Sequence, residues 1–318
     1  IVTSTFPLRT TFDPVHTGAG SVVYLMDSGV DQGHPELSGK TFLPVYTVAD
    51  GDFNTFIEGG GDATNYNTSD THGHGTAMAS LIHGATYGVA GDAKIGIVKI
   101  SDPTVDGGAI KLVNVLNAMK SIYAFDRLTD TIVNAPTVCM AWNFPKSQLL
   151  DRYVGWMHDW AGFLMVAAAG NAGGDVDTFS PGGLNSILTV GASDSSDNVP
   201  AFSNDAGAVV EQGSGLQTNG GEEVDVFAPG VGVNYADVSN RVEVGDYTGV
   251  TGNDLKATGS GTSISCAIVA GIGALVAERY GSGKATADAM KEFITEQSLT
   301  GLLFQDPGLY SSTPNNIV

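Results

Sequence analysis

The chain has 318 residues, of which 42% are hydrophobic and 15% are charged. This composition predicts a compact globular protein with a large core rather than a disordered chain. The 14 Lys and Arg residues stand against 34 Asp and Glu residues, which gives a net charge of −20. Such a field repels phosphate backbones and anionic lipid, so we expect neither nucleic-acid binding nor membrane insertion.

Short apolar runs alternate with helical patterns along the chain. In chain order, the runs that predict buried strands are Ser21–Met26, Lys94–Lys99, Thr137–Trp142, Phe163–Ala169 and Ser186–Gly191. Their nearly continuous hydrophobicity is typical of a parallel sheet covered on both faces. Apolar residues recur at helical spacing over 112–123 and 149–160.

The run Ile264–Ala277 is apolar all round, which predicts a helix through the interior. It is too short to span a bilayer, which needs ~20 residues. Together these elements predict an α/β layered domain with a mostly parallel sheet. The length allows one large domain or two smaller ones. Ligands are then expected at the carboxyl ends of the strands. Residues 50–69 and 204–223 are rich in Gly and Asn and predict surface loops.

The two cysteines, Cys139 and Cys266, both lie in apolar stretches. Two interpretations stay open, a pair of buried free thiols and a single disulfide bridge. The tendency of cysteine to behave as a small buried hydrophobic residue favours the free thiols.

Three segments place a reactive side chain where a strand or loop turns. Asp27 follows five apolar residues at a strand end, where a buried carboxylate needs a partner such as a histidine cation. His74 lies between two glycines before a helix, and Ser263 opens the apolar helix, whose first N–H groups can stabilise an oxyanion. Alone, such a serine is usually a helix cap and such an aspartate a turn residue. In the order Asp, His, Ser they fit an oriented base that activates a hydroxyl nucleophile.

At these positions the chain resembles the subtilases, and the proteinase K branch more than the bacterial subtilisins. The resemblance runs from about Gly18 to Ala277. The segments that carry it are Asp27–Asp31, His34–Leu37, Gly73–Thr76, Val166–Asn171, Gly261–Ser263 and Val269–Gly271.

The resemblance implies a single domain over residues 1–318 with a three-layer α/β fold, in which helices flank a mostly parallel central sheet. It implies a serine endopeptidase, a hydrolase that works through an acyl-enzyme on Ser263. It implies that His74 is the general base and acid, that Asp27 orients it, and that Asn171 and the Ser263 N–H bind the oxyanion. It implies a polypeptide substrate, the chain's own propeptide as a further partner, and no organic cofactor. Secretion is expected, with a virion- or particle-associated protease as the alternative.

The resemblance also implies a set of substrate contacts, namely Gly107, Gly108, Ala141, Trp142, Asn143, Ala169 and Gly170. The family's substrate strand reads Ser-Leu-Gly-Gly, whereas this chain has Ala-Trp-Asn-Phe at 141–144. A side chain at position 143 narrows or reshapes the pocket that a glycine leaves open. A selective pocket and a purely structural change both remain open. A binding protein that has lost turnover is the alternative from another functional class.

Calcium is a further expectation from the resemblance. The segment 85–90 lacks the insertion that carries the strong calcium site of bacterial subtilisins. A second site of the proteinase K type is predicted from the Asp225 carboxylate and the backbone carbonyls of Asn185 and Ile187. The alternative is that Asp225 is an ordinary acid at a strand end.

Overall fold

The computed structural model of the chain describes residues 16–48, 67–128, 134–199, 201–202, 216–238, 255–281, 286–301 and 316–318. Within these ranges the helices are α1 (His74–His83), α2 (Pro103–Asp106), α3 (Leu112–Leu128), α4 (Gln148–Asp159), α5 (Thr262–Tyr280) and α6 (Ala287–Gln297). The strands are β1 (Val22–Asp27), β2 (Phe42–Thr47), β3 (Lys94–Lys99), β4 (Thr137–Met140), β5 (Phe144–Pro145), β6 (Leu164–Ala168), β7 (Phe179–Ser180), β8 (Leu188–Ser193), β9 (Ala201–Phe202), β10 (Leu216–Gln217), β11 (Val226–Pro229), β12 (Val233–Ala236), β13 (Lys256–Gly259), β14 (Leu299–Thr300) and β15 (Asn316–Ile317).

One large sheet organises the described part of the chain. Its nine strands follow the order β14-β15-β11-β8-β6-β4-β1-β3-β2. Neighbours pair in parallel except β14 and β15, which are antiparallel. The chain runs from β1 to β2 and β3 on one side and then crosses to β4 on the other, so β1 lies at the point where the winding reverses. Ligand sites of open α/β sheets form at such a point, outside the carboxyl ends of the strands.

Both faces of the sheet are covered, which explains why its strands lack alternation of apolar and polar residues. Val23 and Leu25 of β1 pack in a core with helices α1, α5 and α6. Their neighbours Val22, Tyr24 and Met26 point the other way, into a core with α3 and α4. The predicted three-layer architecture is confirmed.

Helix α5 runs through the interior, as its all-round apolar sequence predicted, but it is longer than the predicted run. With 19 residues the whole helix is long and apolar enough to cross a membrane by length and composition alone. Most of it is buried inside the fold, 67% of the tested window, as is typical of a core helix in a soluble protein. Its side chains pack against the strands of the central sheet.

The five predicted strands are present, one of them with the predicted bounds (Lys94–Lys99) and four with shifted ends. Strand β4 ends at Met140 and β6 at Ala168, so the segments 141–143 and 169–171 leave the sheet at its carboxyl edge. Strands β2 and β11 were not predicted as elements. Most of the predicted loops 50–69 and 204–223 lies outside the described residues, and the single-domain boundary stays a prediction. The two cysteines are buried free thiols, with their sulfurs 3.9 Å apart between β4 and α5.

Gly96 of β3 generates a test of the packing around β1. A Cβ at this position would lie 2.4 Å from Cδ1 of the buried Tyr24 ring. We expect Gly96→Ala to lower the free energy of unfolding by about 1–3 kcal/mol through overpacking. The control is Gly155→Ala in α4, where the nearest atom to a new Cβ is 3.7 Å away. That substitution should stabilise the protein by about 0.5–1 kcal/mol. Equal effects of the two substitutions in urea unfolding would contradict this account.

Candidate active site

Asp27 and His74 form a hydrogen-bonded pair at the carboxyl end of β1. Nδ1 of His74 lies 2.8 Å from Oδ1 and 2.9 Å from Oδ2 of Asp27. Asp27 is the last residue of the buried strand and is itself buried, so its charge needs the histidine and the N–H of Ser28 as partners. The contact fixes the Nδ1 side of the imidazole and leaves Nε2 as the nitrogen for proton transfer.

A second buried carboxylate, Asp70, shapes the loop that presents His74. Its Oδ1 accepts hydrogen bonds from Ser28 Oγ and from the N–H groups of His72 and Gly73, at 2.8–2.9 Å. Its Oδ2 accepts from the N–H and the hydroxyl of Thr76, at 2.9 and 2.7 Å. Asp70 therefore ties the segment after β1 to the first turn of α1. Sequence analysis missed this role, although Asp70 stands four residues before His74.

Two glycines make the approach of α1 to β1 possible. Gly73 precedes the helix with φ of 99°, a left-handed conformation that a side chain disfavours. A Cβ at Gly75 would lie 2.1 Å from the carbonyl oxygen of Gly29. The glycines that flank His74 are thus required by geometry on both sides.

The electrostatic environment favours the protonated form of His74. Burial alone lowers the pKa of the imidazole, but the charge of Asp27, the hydrogen bond to it and the charge of Asp70 raise it by more. The net result is a pKa above the ordinary value for histidine. An imidazolium formed at this position is therefore stabilised.

Ser263 lies in the first turn of α5, beside the neighbouring strand β4. Its hydroxyl donates to the carbonyl oxygen of Ala141, the residue that follows β4, over 2.8 Å. Since β4 pairs directly with β1, this residue and Asp27 lie at adjacent strand ends. The structure thus places the predicted nucleophile and the Asp27–His74 pair at the same edge of the sheet. The N–H of Ser263, in the first turn, has no intrahelical acceptor.

The side chain of Asn171 is held by Thr262, immediately before Ser263. Its Oδ1 accepts from the N–H and from the hydroxyl of Thr262, each over 3.0 Å. The Thr262 hydroxyl in turn accepts from the N–H of Gly170 at 3.1 Å. Because the amide oxygen is taken, the NH₂ group is the end of Asn171 left to donate. Thr262 is a second residue that sequence analysis missed, since its effect depends on a contact 91 positions away in the chain.

Comparison with known protein families agrees with this arrangement of side chains. The family model described as the subtilase family matches residues 18–312. The chain belongs to the subtilase family. The predicted recognition is thereby confirmed.

Curated relatives of this subtilase include fungal proteases. A cuticle-degrading serine protease of Arthrobotrys oligospora is 30% identical over 313 residues, which cover 98% of this chain and 64% of that protein. Subtilisin-like protease 3 of Pseudogymnoascus destructans is 31% identical over 261 residues, 81% of this chain and 52% of that protein. The chain thus spans about half to two thirds of the length of these relatives.

A solved structure confirms the fold. The crystal structure of a cold adapted subtilisin-like serine proteinase superposes with a TM-score of 0.71, covering 95% of this chain and 89% of that one. The two sequences are 24% identical.

The predicted substrate residues of the subtilase fall into three groups. The first group lies beside Ser263 and Asn171 and consists of Ala141, Asn143, Ala169 and Gly170. In this group the side chain of Asn143 reaches across to Gly170. The Trp142 indole instead donates to the carbonyl of Met26 at 2.8 Å and packs in the core with α3 and α4. The indole of Trp142 thus faces the core, whereas the resemblance implied a substrate contact for this residue.

Gly107 and Gly108 form the third group, in the turn that ends the short helix α2. Both have positive φ, 72° and 79°. A Cβ at Gly107 would meet open space. The role of this turn in substrate binding stays a prediction.

The three residues predicted for calcium do converge, but on a lysine. Nζ of Lys291 in α6 lies 2.9 Å from Oδ1 of Asp225, 2.7 Å from the carbonyl oxygen of Asn185 and 2.5 Å from that of Ile187. An ammonium group thus occupies the position between the oxygens that a calcium ion requires. The predicted ligand set does not fit a resident ion while this lysine is in place.

The pKa of His74 can be used to test whether the charges of Asp27 and Asp70 raise it. We expect Asp27→Asn and Asp70→Asn each to lower the pKa of His74 in an NMR titration, because each removes a negative charge that raises it. Asp31→Asn is the control, since Asp31 lies in the same segment but holds the N–H of Gly33 instead. An unchanged pKa in the Asp70 variant would mean that Asp70 acts only as a structural support of the loop.

Proposed function

We propose that this subtilase is a serine endopeptidase that hydrolyses peptide bonds through an acyl-enzyme on Ser263. The observation that carries the proposal is the joint placement of three features at one sheet edge. These are the Asp27–His74 pair, the hydroxyl of Ser263 in the first turn of α5, and the Asn171 amide oriented by Thr262. The serine protease relatives support the same chemistry.

The proposed reaction begins when Ser263 turns its hydroxyl from Ala141 towards Nε2 of His74. The histidine takes the proton as Oγ bonds to the carbonyl carbon of the substrate, and Asp27 stabilises the imidazolium. The Asn171 NH₂ group and the Ser263 N–H hold the oxyanion. Collapse breaks the C–N bond, and His74 delivers its proton to the leaving amine. A water molecule then attacks the acyl-enzyme by the same steps and releases the acid.

The proposed substrates are polypeptides, and the proposed place of action is outside the cell. Three relatives are named as cuticle-degrading proteases. Secretion of this chain follows by analogy. The acidic surface is compatible with that setting. A propeptide as a further partner stays a prediction.

Labelling with a fluorophosphonate tests the proposed function. The native protein should be labelled, and Ser263→Ala should abolish labelling without loss of the fold. The rate of labelling should fall as the pH is lowered through the raised pKa of His74, because only the neutral imidazole accepts the proton. No labelling of the folded native protein would support a binding protein without turnover.

Steady-state kinetics on a peptide substrate measure the contribution of Asn171 as the oxyanion donor. We expect Asn171→Ala to lower kcat by about 10²–10³-fold, or about 2.7–4 kcal/mol, the loss measured on subtilisin itself for its own asparagine donor. The control is Asn185→Ala, on the exposed surface. A loss that appears only in KM would contradict the role of Asn171 in the transition state.

A further inference from the structure

The side chain of Asn143 closes the gap between the two segments beside the nucleophile. A Cβ placed on Gly170 would lie 2.1 Å from Nδ2 of Asn143 and 3.4 Å from its Cγ. The amide of Asn143 therefore rests directly against the backbone of Gly170. The segment after β4 and the segment after β6 are bridged by this one side chain.

The wall against which Asn143 rests is rigid. Asn219, which is fully buried, lies beside the same glycine, and its Nδ2 would be 2.6 Å from a Cβ there. Its amide donates to the carbonyl of Ala169 at 2.8 Å and accepts from the N–H of Gly174 at 3.0 Å. Its backbone N–H donates to the carbonyl of Gly170 at 2.9 Å. Gly170 thus has little freedom to move away from Asn143.

The position of the attacked bond follows from the contacts of Ser263 and Asn171. The Ser263 hydroxyl reaches the residue that begins the first segment, and Asn171 ends the second segment. A substrate carbonyl held by both must belong to a residue lying over the gap between the segments. The side chain of that residue meets Asn143 if it turns inward.

We propose that Asn143 makes this enzyme selective for small residues, glycine, alanine or serine, on the acyl side of the cleaved bond. The proposal rests on the proposed function and names its substrate class. An aromatic side chain buries ~150–250 Å², and the space for it between the segments is occupied by the asparagine. The side chains of small residues do not need this space, so they can bind while the Asn143 amide stays in place.

Two tetrapeptide p-nitroanilides that differ only in alanine or phenylalanine before the scissile bond test this selectivity. The native enzyme should have a kcat/KM for alanine about tenfold or more above that for phenylalanine. Asn143→Gly should reverse or remove this preference, mainly by raising the rate on phenylalanine. Asn143→Asp fills the same volume and should keep the preference for alanine.

Equal or better cleavage of the phenylalanine substrate by the native enzyme would overturn the proposal while leaving the endopeptidase intact. An unchanged ratio in Asn143→Gly would also overturn it. Fluorophosphonate labelling of each variant separates both outcomes from a failure of the catalytic machinery. If the native protein is not labelled, the proposed function fails first.

Oxygen atoms from three residues surround the ammonium group of Lys291, independently of the active site. The ammonium group has three N–H donors, and three oxygen atoms lie within 2.5–2.9 Å of it. Its charge faces the carboxylate of Asp225, whose Oδ2 accepts from the N–H of Thr189 at 2.8 Å. The cation and the anion are therefore both satisfied by groups of this chain.

We infer that the Lys291 ammonium takes the place of a calcium ion and fastens α6 to the start of β8 and β11. Calcium binds 6–8 oxygens at about 2.3–2.6 Å, so it would have to displace the lysine and would be repelled by its charge. The two carbonyl oxygens and the Asp225 carboxylate then hold the helix without any dissolved metal.

Thermal unfolding with calcium and with a chelator tests this inference. The quantity to compare is the rise in Tm that calcium gives to each variant. Lys291→Met leaves the oxygens and removes the ammonium, so its Tm in chelator should fall and calcium should raise it by about 2–4 °C more than it raises that of the native protein. Lys120→Met, at an exposed position of α3, is the control for the lost charge.

A calcium effect on the native protein equal to that on Lys291→Met would overturn the inference. Asp225→Asn provides a second measurement that does not depend on the folding of the lysine variant. It should lower Tm by the same amount with and without calcium. A loss seen only in the presence of calcium would show that Asp225 binds the ion.

Discussion

The site depends on one constraint, a buried carboxylate at the end of the central strand β1. Asp27 loses most of its hydration there, so the fold must supply a cation or donors close by. His74 meets this need only because α1 begins at the right place, which the hydrogen bonds of Asp70 enforce. The segment that carries Asp70 is fixed in turn by Lys99, which is fully buried and donates to the carbonyl of Ser69 at 2.6 Å.

This dependence gives a role to one of the few cations of an acidic chain. Lys99 also pairs with Asp102 at 2.5 Å, so its charge is neutralised in the interior. Both Lys99 and Lys291 join separate parts of the chain through backbone carbonyls as well as carboxylates. The net charge of −20 counts every residue of the chain, and these two lysines act locally, where the sheet meets its loops.

Much of the fold and the main catalytic candidates were predictable from the sequence. Asp27, His74 and Ser263 each sit at an element boundary that leaves a local trace, such as the end of an apolar run or a glycine pair. Contacts between distant segments leave no such trace. The hydrogen bonds from Thr262 to Asn171 are not visible from spacing, because the two residues are 91 positions apart. The same is true of the lysine among the predicted calcium ligands, since Lys291 is 66 positions from Asp225. The direction of the Trp142 side chain is not visible from spacing either, since its indole turns into the core after the end of β4.

Asn143 and Lys291 show one physical principle acting at two places. In the role proposed for each, the side chain fills a space that would otherwise be open to a mobile group, a substrate side chain at one site and an ion at the other. A tethered group is always present at its site, so its effect does not depend on the concentration of anything in solution. A bound ion instead contributes a stability that varies with its free concentration. If Lys291 acts as inferred, the hold of α6 on the sheet should persist in a medium depleted of calcium. The gap at Asn143 should likewise be narrow before any substrate arrives, because the asparagine is braced against Gly170 by groups of this chain alone.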